Sequence, residues 1–174
     1  MAKRISEGRP DWLQAPNVVD VYSVSDCVND NFPAFTPDWT HNGYWMFDSP
    51  ADIEAAALAN KVDIQGAQLF FYEAHESELD GEDWLSVLPD LSFNTHVLTP
   101  STKHLTGFDV VTFCDGPNSH SPLSCNGVAA KVKTNQHCLF DTLDEAIAAL
   151  TEGAFDKSEP GPYRIYAVYY VPWL

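Results

Sequence analysis

The sequence predicts a single α+β domain, a mixed β-sheet carrying two main helices, built by internal duplication of a β-loop-β-α-β unit. Three observations predict it. A phrase recurs: HNGYWMFDSPADIEAAALANK at 41–61 and TNQHCLFDTLDEAIAALTEG at 134–153 align Asn42 with Asn135, Phe47 with Phe140, Asp48 with Asp141 and Ser49 with Thr142. Each copy runs into a segment dense in aromatic and β-branched residues, AQLFFYEAH at 67–75 and YRIYAVYYV at 163–171, the composition of buried strands. The 174 residues suffice for one domain with a sizeable core, and no stretch approaches the roughly 20 apolar residues of a membrane helix.

Taken in chain order, the first half covers 17–76 and opens with a strand, VVDVYSV (Val18–Val24). A long loop follows, then the short apolar run Tyr44–Phe47. Ser49 is placed to cap a helix, with Pro50 at its first position, where the missing N–H costs nothing, and Asp52 beside the positive helix end. The alanine-rich run behind it favours helix. The 77–92 segment, within ESELDGEDWLSVLPDLS, reads as an acidic exposed connector, and no Lys or Arg occurs from Val62 to Thr102. The second half covers 106–172. FDVVTF (Phe108–Phe113) matches Val18–Val24, and His137–Phe140 matches Tyr44–Phe47. Thr142 and Glu145 form a capping box, Leu143, Ala146, Ile147 and Leu150 make one apolar stripe, and Gly153 stands where a left-handed cap is wanted. A helix joining two strands of one sheet implies local parallel pairing, with the two helices mainly on one face about a pseudo-twofold axis. SEPGPY (158–163) is a rigid turn into the last strand.

Charge narrows the function. Against 25 Asp and Glu there are 9 Lys and Arg, a net charge of −16. Such a surface repels nucleic acid and anionic membranes and admits a basic protein partner. The opening MAKRISEGRPDW is basic and polar without the apolar run of a signal peptide, so cytoplasm is the expected compartment and the thiols of Cys27, Cys114, Cys125 and Cys138 are expected to be reduced.

The candidate chemistry lies in two long loops. CDGPNSHSPLSCNGVAAKVKTNQHC (114–138) holds three of the four cysteines. A metal site from Cys114, His120, Cys125, His137 and Cys138 lacks any C-x-x-C pair, so no metal and no cofactor is expected. A nucleophilic Cys125 is an alternative: Ser124 would cap a short helix, the helix N-terminus would activate the thiol, and His137 or His120 would act as base with an Asp orienting the ring. The corresponding loop of the first half sets Phe32, Phe35 and Trp39 among Asp26, Asp30 and Asp38, ring area for affinity and charge for steering. No H-E-x-x-H, G-x-S-x-G, phosphate loop or calcium loop is present.

The leading expectation is therefore a non-enzymatic, acidic protein-binding module. It would engage a basic partner through Phe32, Phe35, Asp38 and Trp39 and through Glu76, Glu78, Asp80, Glu82 and Asp83. This profile is similar in type to bacterial immunity and inhibitor proteins, which implies neutralisation of a basic toxin. Besides the Cys125 enzyme, a nucleic-acid mimic is the other alternative; it ranks lower because the acids cluster in loops instead of tracking a phosphate spacing.

Overall fold

A computed structural model describes residues 2–3, 11–24, 46–87, 97–112 and 120–172. The elements are β1 (Ala2–Lys3), α1 (Pro50–Asn60), β2 (Gln68–Asp80), β3 (Asp83–Ser86), β4 (His104–Thr112), α2 (Pro122–Cys125), α3 (Leu143–Thr151) and β5 (Tyr163–Val171). Five strands form one sheet in the order β1-β2-β5-β4, with β3 pairing β2 on the same edge as β1. The fold is α+β, as the sequence predicts.

Both caps form as read. Ser49 Oγ accepts the Asp52 N–H at 3.2 Å with Pro50 at the first helical position. Thr142 and Glu145 make a reciprocal capping box, and α3 ends with Gly153 at φ 76°. There the Ala154 N–H bonds to Ala149 O and the Gly153 N–H to Leu150 O, closing a Schellman turn. Helix α1 ends at Lys61, which takes φ 57° without being glycine.

The sheet corrects the expected pairing. Every ladder among the described residues is antiparallel, so the sheet is not mixed. In the second half the crossover that would have required parallel strands lacks its first strand. Met46–Phe47 is irregular, and of His137–Phe140 only Phe140 joins the sheet, through one antiparallel bridge to Phe108. Asn135 is the reason: its Oδ1 accepts the N–H of His137 at 2.9 Å and of Leu139 at 3.2 Å, and Cys138 turns through φ 61°. A side chain that captures two backbone donors wins the segment for a turn.

Val18–Val24 is not a strand either. Its backbone lies along that turn, with Val19 and Asp20 N–H donating to Gln136 O and Tyr22 N–H to His137 O. The segment is a strap, fastened by a buried polar network. Asp109, fully buried on β4, accepts the Val24 N–H at 2.8 Å and the Ser121 hydroxyl at 2.6 Å. Ser23 and Ser124 hydroxyls meet at 3.0 Å, tying the strap to α2. Among the described residues the two halves share a capped helix followed by a long strand.

Strand alternation separates two faces. Phe70, Tyr72, Tyr166 and Val168 lie on one, packed under Val24, Met46 and Leu139. The other carries both long helices, as expected. There Ile53 of α1 packs with Leu69, Phe71 and Val171, while Ala146 and Leu150 of α3 join the cluster of Val110, Ile165 and Phe140. The helices stand over opposite ends of the central β2–β5 pair.

Candidate functional site

The acidic connector is a β-hairpin. Strand β2 continues past His75 to Asp80, turns through Gly81 and Glu82, and returns as β3. Gly81 has φ 61° at the first of the two turn residues, where a type II′ hairpin turn requires glycine. The carboxylates of Glu76, Glu78, Asp80, Glu82 and Asp83 are thereby held on one laddered hairpin at the sheet edge instead of a loose loop. Asp80 and Asp83 face each other across the hairpin end, a like-charge pair costing up to about 1 kcal/mol that local pairing alone would avoid. Exposed apolar side chains stand among them: Leu85 opposite Glu78, and Trp84 opposite Leu79. The Trp84 ring meets His75 edge-on at 6.3 Å. Sequence reading placed Trp84 and Leu85 in an exposed connector but missed them as candidate binding residues, because it ended the strand at His75; the two-residue Gly-Glu turn was the available signal.

A register shift between Ala74 and Glu78 shapes the adjoining surface. Bulges bend a strand and re-aim its side chains. Here Arg164, almost buried, crosses beneath and donates from Nε to His75 O at 2.7 Å. His75 and Glu76 consequently line a cleft of about 370 Å³ on the helix-bearing face. Phe108, Ile165 and Ala167 form its apolar floor, and Glu73 and Tyr169 its far end. At that end Lys103 Nζ lies 2.9 Å from Glu73 Oε2, 3.9 Å from the Tyr169 ring centroid and 4.8 Å from that of Phe71. The hydrogen bond from Lys103 is the main reason the Glu73 carboxyl titrates below the usual range.

The cysteine loop departs from its expected chemistry. Ser121, not Ser124, stands at the N-cap position of the four-residue α2, its hydroxyl spent on Asp109 and not on the helix, and Cys125 is the last residue of that helix. The thiol stands at the negative helix end, so the dipole argument for activation does not hold. Cys125 is partly exposed and Cys138 buried. His120 bridges to Thr112 of β4. His137 does have an orienting carboxylate: Nδ1 meets Asp20 Oδ1 at 2.5 Å, Nε2 lies 3.2 Å from the Gln136 amide nitrogen, and the ring stacks on Tyr22 at 4.0 Å. Both ring nitrogens therefore already have neighbours on the strap and its turn, the position of a fastener. Burial, reinforced by Asp20, pushes the Tyr22 hydroxyl up.

Among the described residues no group of three or more His, Cys, Asp and Glu side chains could hold a metal ion. Phe32, Phe35, Asp38 and Trp39 lie outside the described residues, as do Tyr44, Trp45, Cys27 and Cys114. No helix among the described residues is long and apolar enough to cross a membrane. No protein family, curated protein or solved structure matches the chain.

Proposed function

We propose that this protein is a non-enzymatic binding module of the immunity or inhibitor type, which covers a basic protein partner with its acidic β2–β3 hairpin. The observation that carries this reading is the hairpin itself. Glu76, Glu78, Asp80, Glu82 and Asp83 share one hairpin at the edge of the sheet with exposed Trp84 and Leu85, on a chain of net charge −16. Concentrated like charge destabilises the free protein, and a partner of opposite sign relieves it. Aromatic and aliphatic side chains among the charges supply area that can be desolvated, while the charges steer approach and reject acidic competitors. The hairpin also suits recognition better than a loop would, because its backbone is ordered before binding.

The test is affinity capture from a native lysate of the source cells by the full chain and by a quadruple variant, E78Q/D80N/E82Q/D83N. The expected result is a basic protein retained by the wild type at low salt. It should be released as salt approaches 1 M, where the Debye length falls to about 3 Å, and not retained by the variant. Equal capture by both proteins, or capture indifferent to salt, overturns the proposal.

A further inference from the structure

We infer that the cleft beside α3 receives one long basic side chain, lysine or arginine, from the partner, and that Lys103 engages the Glu73 and Tyr169 end of its lining in the free protein. The inference rests on the basic-partner reading above and adds where the partner is gripped.

The cleft has the parts such a side chain needs. Phe108, Ile165 and Ala167 offer an apolar floor for a methylene stem, and Glu73 and Glu76 bring carboxylates to its rim. Its volume of about 370 Å³ falls within the roughly 300–1,000 Å³ of small-ligand sites. At its far end an ammonium group is already recognised. Lys103 is held at once by the Glu73 carboxylate at 2.9 Å, the Tyr169 face at 3.9 Å and the Phe71 face at 4.8 Å. An aromatic face and a carboxylate converging on one point are the chemistry that selects a cation. Glu73 is half exposed, with 55% of its side-chain surface accessible, so an incoming cation can reach it without opening the core. The same bulge that carries Glu76 into the cleft leads directly into the hairpin, so one partner surface can engage both. Acidic and neutral side chains gain nothing from such a lining, and a second copy of this chain, itself strongly acidic, is repelled.

Internal occupancy by Lys103 has a consequence opposite to that of a structural salt bridge. Removing a competitor strengthens binding, whereas removing a support weakens it. The experiment titrates the full chain with a fluorescently labelled peptide of alternating lysine and glycine, and with its fully acetylated form, at low salt. Lys103→Ala should bind the lysine peptide at least about two- to fivefold more tightly than wild type, and Tyr169→Leu about two- to fivefold more weakly, the range of one exposed cation–π contact. Lys133→Ala removes the same charge from an exposed site beside Glu145, outside the cleft, and should tighten binding by less. The acetylated peptide should not bind. If Lys103→Ala weakens binding, leaves it unchanged, or tightens it no more than Lys133→Ala, while the quadruple hairpin variant still abolishes binding, the cleft assignment falls and the hairpin reading stands. If neither wild type nor Lys103→Ala binds the lysine peptide, both fall.

Discussion

Asp109 gives the sharpest test of how this fold is fastened. Its carboxylate is fully buried and accepts two hydrogen bonds, from Ser121 Oγ at 2.6 Å and from the Val24 backbone at 2.8 Å. Asp109→Ala and Asp109→Asn both remove the buried charge, so the cost of desolvating that charge cancels when the two variants are compared. They differ in what they leave behind. Asparagine can keep its oxygen toward the Val24 N–H and turn its amide to Ser121, whose hydroxyl rotates and accepts instead of donating. Alanine orphans both donors in a dry site, at about 1–3 kcal/mol each. The expected gap is therefore about 2–6 kcal/mol in favour of asparagine, a large share of the roughly 5–15 kcal/mol available to a domain. Urea titration followed by tryptophan fluorescence and far-UV circular dichroism measures it, with equal m-values required for the comparison. A gap under about 1 kcal/mol would mean that the strap and α2 do not depend on this carboxylate, and the account of the network would be wrong.

Two further outcomes follow from the same geometry. Gly107, in the β4 irregularity, has φ 147°, and a Cβ there would meet Phe140 O at 2.6 Å and Leu139 Cβ at 2.7 Å. Gly107→Ala should cost at least about 2 kcal/mol in a denaturant titration, from backbone strain plus a backbone clash, and a neutral result would refute the close approach. Tyr72 is held well above the ordinary tyrosine value of 10.0, first by burial and then by the nearby Asp109 charge. The native state keeps a proton that the unfolded chain releases, so this stabilisation is fully present below pH 10 and is lost as pH rises beyond it. The difference in stability between wild type and Tyr72→Phe should shrink above pH 10 by up to about 1.4 kcal/mol per pH unit, and parallel stability curves would contradict the burial.

What the sequence determined by itself is the local structure. The caps at Ser49 and Thr142, the left-handed turn at Gly153 and the aromatic strands of 67–75 and 163–171 depend on neighbours within a few residues, so their signals are written side by side. Tertiary structure decided the rest. Val18–Val24 has the composition of a strand, yet its donors go to Gln136 and His137, more than a hundred residues away, and its end is fixed by Asp109. His137–Phe140 has the same composition and is taken by the Asn135 side chain instead. The five carboxylates of the candidate surface were legible as charge, but their arrangement on a hairpin came from the Gly81 turn and the ladder beyond it. The cleft had no sequence signal. It joins Glu73 and His75 of β2, Phe108 of β4 and Tyr169 of β5, which only strand order and a bulge bring together. Propensity and capping act over a few residues, whereas sites are assembled by pairings whose partners no local window contains.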